Sequence, residues 1–195
     1  MNLNFKLFFK YILFNITHLY LSHSLHGSKN TSIVMSKSTF YYSCIHIRFS
    51  TIFYSVQLVD LFSYELPLSN SQKNSSTIYE SNFSDISNSV IVYNFHNLTF
   101  QERFFFFCSD IFHVSNNFNL NSIAELYPNA SWLEREVSEL HGIIFNNKKD
   151  LRNLMLQYGD TSVPFRKSSP SIGVKEVFYD SINDVIIQNP ISIQS

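Results

Sequence analysis

A chain of 195 residues with 45% hydrophobic and only 15% charged side chains can bury a substantial core, yet it carries less charge than the roughly 25% typical of soluble domains. Its net charge of -1 supplies no long-range field for nucleic acid. Two cysteines cannot build a four-thiolate zinc or iron–sulfur site, and four scattered glycines cannot form the clustered loops that cradle ATP or dinucleotide phosphates.

In chain order, Leu3 to Leu21 comes first and is strongly apolar, with no Lys, Arg, Asp or Glu between Lys10 and Lys29. Asn15, Thr17, His18 and Ser22 interrupt the run, so a docked helical extension over residues 1–30 is expected rather than a membrane span or a secretory signal. Thr31–Met35 reads as a strand, and Lys37–Phe49, whose pattern is ambiguous, as a helix. Ser55–Leu61 reads as a second strand, and the Ser- and Asn-dense stretch Ser69–Ser89 as a solvated insertion. Val90–His96 and Arg103–Cys108 read as strands joined across Asn97–Glu102, and their continuous apolar runs predict burial on both faces.

The strongest helical pattern is Ser131–His141. Ser131 and Glu134 fit a capping box. Leu133, Val137 and Leu140 form an apolar stripe, with Glu134, Arg135 and Glu139 away from it, and Gly142 stands at the stop position. A further helix is predicted over Lys149–Leu156, then a tail punctuated by Pro164, Pro170 and Pro190 with one strand near Val174–Tyr179. The fold expected is α+β, a small mixed β-sheet flanked by helices. It divides into the extension 1–30, an α+β core domain 31–157 and an extended C-terminal tail 158–195.

Chemistry has few places to reside. Glu136, Glu139 and His141 could serve acid–base work in a hydrolase, but a charged face pairing with partner residues fits them better, and Arg135 and Glu139 are spaced to pair on the helix itself. His18, His23 and His26 lack metal-ligand spacing. Six N-x-[ST] sequons, at Asn15, Asn30, Asn74, Asn82, Asn97 and Asn129, admit the alternative of a secreted glycoprotein binding module, although an Asn- and Ser-rich composition produces them by chance. The excess of Phe, Tyr, Asn and Ile matches AT-rich codon usage, as in many organellar genomes.

The segment from Ser122 onward, SIAELYPNASWLEREVSELHGIIF and then KKDLRNLMLQYGDTSVPFRKSSP, resembles the thirty-kilodalton subunit of respiratory complex I (NADH:ubiquinone oxidoreductase), of the mitochondrially encoded subunit 9 type. The resemblance is carried by Tyr127, Pro128, Ala130, Trp132, Leu133, Glu134, Arg135 and Glu136, then Glu139 and Gly142, then Tyr158, Gly159, Pro164, Phe165, Arg166 and Lys167. Upstream, SVQLVDL and VIVYN resemble two of the family's strands. His141, Val163, Ser168 and Ser169 depart from the family pattern, and Glu139 stands where Asp is common.

The resemblance implies a non-catalytic core subunit of the peripheral arm, on the matrix side of the mitochondrial inner membrane and peripheral to it. Such a subunit scaffolds the quinone-reducing module in NADH-to-ubiquinone electron transfer. It implies packing against the forty-nine-kilodalton subunit and neighbouring iron–sulfur subunits. It also implies that this chain binds no cofactor, the complex carrying FMN, iron–sulfur clusters and ubiquinone. Trp132, Glu134, Arg135, Glu136, Glu139, Gly142, Pro164, Arg166 and Lys167 are the subunit-interface residues it implies. Among them Glu136, Glu139, Arg166 and Lys167 are expected to fix the register of neighbours through charge pairs.

Overall fold

The computed structural model describes residues 31–51, 53–66, 88–109 and 119–191. The extension 1–30 and nearly all of the Ser69–Ser89 insertion lie outside the described residues.

The expected α+β architecture is present. Strands β1 (Thr31–Met35), β2 (Val56–Leu66), β3 (Asn88–Asn97) and β4 (Glu102–Ser109) form one sheet in the order β1-β4-β3-β2. β1 runs parallel to β4 while β3 is antiparallel to both its neighbours, so the sheet is mixed. Helix α1 (Lys37–Phe49) presents Phe40, Ser43, Cys44 and Ile47 as its buried stripe, the i, i+3, i+4, i+7 spacing of one helical face.

The core lies where α1 meets the sheet. Cross-strand neighbours Ile33, Phe106, Tyr93 and Leu61 continue one row, and Phe104 and Phe95 the next. Phe40 stacks 4.3 Å from Tyr93, and Phe95 sits 5.4 Å from both Phe104 and Tyr127. Each fully buried ring of this kind stabilises by about 1.5–3 kcal/mol relative to exposure. A register shift between Leu58 and Asp60 inserts one residue into β2. That bulge turns both Leu58 and Leu61 to the core despite their odd spacing.

Burial on both faces is met in β3, where Ser89 to Tyr93 are all buried. It is not met in β4. There Phe104, Phe106 and Cys108 are buried, whereas Phe105 and Phe107 are only half-covered, because the layer of α1 lies on the opposite face. The β3–β4 turn is held by Asn97, whose Oδ1 accepts from Thr99 N at 3.0 Å and Ser55 Oγ at 2.9 Å.

Beyond the sheet, β5 (Asn119–Asn121) and β6 (Ile144–Asn146) pair in parallel around helix α2 (Ala130–His141). Gly142 closes α2 in the left-handed conformation, φ 68°, as the stop position predicted. The predicted helix over Lys149–Leu156 does not form; the segment is irregular. The tail holds two strands where one was expected, β7 (Lys175–Asp180) and β8 (Val185–Pro190), joined as an antiparallel hairpin. Among the described residues, no helix is long and apolar enough to cross a membrane.

Candidate subunit interface

Helix α2 organises the region of every candidate residue, and it is turned by one position from the stripe read in the sequence. Its buried residues are Ala130, Glu134, Val137 and His141, while Leu133 and Leu140 are only half-buried. Glu134 therefore is no capping-box partner of Ser131. The N-cap is Asn129, without a side-chain cap bond; its Nδ2 instead donates to Leu58 O at 2.6 Å, tying the start of α2 to β2.

Glu134 is 0% exposed. Its carboxylate accepts from Ser122 Oγ at 2.6 Å, from the Ile123 amide at 2.8 Å and from Lys148 Nζ at 2.9 Å. Lys148 also donates to Ser131 O at 2.9 Å, and its side chain is 2% exposed. A buried carboxylate survives only with such a full set of donors. Glu134 is thus an internal tie between β5, α2 and the chain after β6, and it has no surface to offer a neighbouring subunit.

Arg135 and Glu139 hold the irregular segment 150–156. Arg135 donates Nε to Arg152 O at 2.7 Å and Nη2 to Asn153 O at 3.2 Å. Glu139 accepts the amides of Leu154 at 2.8 Å, Met155 at 3.0 Å and also Leu156. Burial pushes the Glu139 carboxyl up, but those three amides with the Arg135 charge outweigh it and hold its pKa below the ordinary value. This clamp explains the missing helix: side chains of α2 occupy the backbone groups that helical bonds from 150 to 156 would use. Asp150 bonds Arg152 through both carboxylate oxygens and lies 3.5 Å from Arg135.

Arg166 closes the other end of α2. Its Nε donates to His141 O at 2.9 Å and its Nη2 to Gly142 O at 3.3 Å, satisfying carbonyls that a helix terminus leaves orphaned. The Phe165 amide donates to Leu140 O at 3.1 Å. The tail is therefore fastened to α2 at residues 165–166. Pro164 and Lys167 are exposed, the Lys167 amide donating to Glu65 Oε2 at 2.8 Å. Trp132 is 64% exposed with the Arg135 guanidinium 5.8 Å above its ring. Glu136 is half-buried, and its side chain makes no hydrogen bond or ion pair among the described residues.

A groove of about 460 Å³ runs between β2 and α2, bounded by Leu61, Tyr64, Glu136, Leu140 and Phe165. Ser63 Oγ, Glu65 Oε1 and His141 Nδ1 belong to its lining residues and are buried without a hydrogen-bond partner among the described residues. Burial lowers the His141 pKa, with Glu65 opposing and Arg166 reinforcing that shift.

The structure thus gathers all nine residues read from the sequence along α2, its Gly142 cap and the tail strapped to its end. Glu134, Arg135, Glu139, Gly142 and Arg166 serve the chain's own packing. Trp132, Glu136, Pro164 and Lys167 face outward. Glu65, Ser122 and Lys148 escaped notice because their partners stand 12 to 102 residues away in sequence. Among the described residues no cluster of His, Cys, Asp or Glu could hold a metal ion.

Residues 54–175 match the family model described as respiratory-chain NADH dehydrogenase, 30 Kd subunit. The chain is 39% identical over 75 residues to an NADH-quinone oxidoreductase subunit of Neisseria meningitidis, covering 38% of each chain. It is 39% identical over 92 residues to NADH-ubiquinone oxidoreductase subunit 9 of Paramecium primaurelia, covering 47% of this chain and 41% of that one. The matches thus span less than half of these relatives. Among solved structures, a trypsin-resistant fragment of Nqo5 superposes with TM-score 0.53 at 20% identity, over 77% of this chain and 100% of that one. A chain of an archaeal membrane-bound sulfane sulfur reductase superposes with TM-score 0.56 at 9% identity, over 78% and 76%. These two likenesses establish the fold. The family match overturns the alternative of a secreted glycoprotein.

Proposed function

Because the chain belongs to the family of the 30-kilodalton subunit of respiratory-chain NADH dehydrogenase, we propose that it is a non-catalytic core subunit of the peripheral arm of mitochondrial complex I. In this reading it lies on the matrix side of the inner membrane and packs against the forty-nine-kilodalton and iron–sulfur subunits. It holds the quinone-reducing module in register while electrons pass from NADH to ubiquinone. Its work is positional: distances between cofactors carried by neighbours depend on a rigid part between them.

The observation that supports this is the surface after the clamp. Leu151, Met155, Tyr158 and Phe165 are exposed, and so are Val177, Phe178 and Tyr179 on β7 and Val185 and Ile186 on β8. A two-stranded hairpin is marginal in water by itself, and exposed apolar surface of this extent marks an interaction site. The hairpin is thus suited to completion by another protein. Native electrophoresis of mitochondrial membranes with in-gel NADH oxidation, followed by mass spectrometry of the stained band, tests the reading. Peptides such as Glu136–Arg152 are expected in that band; their consistent absence from it, with the chain migrating alone, would sink the proposal.

A further inference from the structure

The groove between β2 and α2 is unlike the rest of the surface in three respects. First, β2 is the edge of its sheet, and from Phe62 to Glu65 no backbone bond reaches its outer side among the described residues. An unpaired edge is a template for another strand. Second, the groove's apolar walls, Leu61, Leu140 and Phe165, lie beside exposed Phe62 and Tyr64. Third, its charge is lopsided: among the described residues Glu65 and Glu136 share the lining with one permanent cation, Lys167, and with His141, which burial disfavours as a cation, and Glu65 Oε1 is buried with no donor among them. A buried acceptor left unmade costs about 1–3 kcal/mol, more when charged.

We propose that this groove is the docking site for an extended segment of a neighbouring subunit, which adds a strand to the outer edge of β2 and places a lysine or arginine between Glu65 and Glu136. The inference rests on the reading of the chain as a subunit and names the chemistry of one contact. The edge supplies main-chain hydrogen bonds, as in other strand additions, and the groove supplies side-chain selectivity. A cation entering beside Glu65 meets a buried acceptor that has no donor among the described residues. It also balances Glu136, whose carboxylate makes no ion pair within the described chain. Leu140 and Phe165 would flank its aliphatic stem.

The test uses the assembled complex. With p-benzoylphenylalanine at Phe62, irradiation is expected to cross-link the chain to one neighbouring subunit, at a segment with Lys or Arg within about three residues of the adduct, the reach of a strand at ~3.3 Å per residue. In parallel, Glu136→Gln is expected to speed salt-induced release of the chain from the complex about tenfold, with the folded chain unaltered. Adducts only within this chain, adducts to a segment without a basic residue, or no adduct in a complex that contains the chain would overturn the docking site. An unchanged release rate for Glu136→Gln would overturn the role of the cation. Absence of the unsubstituted chain from the complex would instead overturn the proposed function, and the docking site with it.

Discussion

Replacing Glu134 by alanine tests the account of α2 most directly. The substitution removes at once the acceptor of the Ser122 hydroxyl, the Ile123 amide and the Lys148 ammonium. It strands the ammonium at a site 2% exposed, with only Ser131 O still in reach. Breaking a buried ion pair from one side costs about 3–5 kcal/mol, because the surviving charge has neither partner nor water. Replacing both partners, Glu134→Leu with Lys148→Met, removes both charges and leaves the Ile123 amide and the Ser122 hydroxyl without their acceptor, a cost of about 1–3 kcal/mol each that Glu134→Ala incurs as well. The double variant is therefore expected to be more stable than Glu134→Ala. The assay is urea unfolding of the purified chain, with the two single variants and the double variant closing a cycle. A cost for Glu134→Ala below about 1 kcal/mol, or simple additivity of the two single changes, would refute the buried tie.

Further outcomes are expected at Gly142, Glu139 and His141. Gly142→Ala forces a Cβ into the left-handed region, 2.9 Å from Arg166 Nη2, and should lower stability by about 1–2 kcal/mol or more, read as a fall in Tm of several degrees. Glu139→Ala should raise hydrogen exchange at the amides of Leu154, Met155 and Leu156 while leaving the sheet protected. The folded pKa of Glu139 is depressed, so its contribution is fully present above the unfolded carboxylate value of about 4.3 and is lost as pH falls through the folded one. Exchange at those three amides, corrected for intrinsic rates, should report that loss. His141 also has a depressed pKa, so the unfolded chain binds its proton first, and stability should fall as pH drops below about 6.5. His141→Leu should flatten that part of the pH profile of unfolding.

What could be read in advance was set by local pattern. The apolar run of β3, the short apolar segment of β2 and the stop at Gly142 depend on neighbours in sequence, and each element appears within a few residues of its expected bounds. Two of the misreadings share a cause: a polar side chain found its partner far along the chain. Glu134 looked like a capping residue because Ser131 stands three positions before it, yet Ser122, Ile123 and Lys148 outcompete that local partner. Lys149–Leu156 has a helical composition, but Arg135 and Glu139 claim its carbonyls and amides. Of the interface motif, the residue types were legible while their direction was not, since inward and outward charges look alike in a helix. Consequently Glu139→Ala and Arg166→Ala would disturb the chain's own clamp and helix cap before any neighbour, and Glu136 and Lys167 are the better probes of contact between subunits.

The clamp has one more consequence, which concerns how freely this stretch can vary. Arg135 and Glu139 grasp segment 150–156 chiefly by peptide groups, and every residue but proline offers the same amide and carbonyl. The path of the loop is therefore largely independent of the side chains at Leu151 and Met155, both of which point to solvent. Substitutions there can remodel the outward face without redrawing the backbone beneath it. A fixed scaffold that presents exchangeable side chains lets this surface drift in step with whatever lies against it, while proline at 154, 155 or 156 stays barred by the carboxylate waiting for its missing N–H.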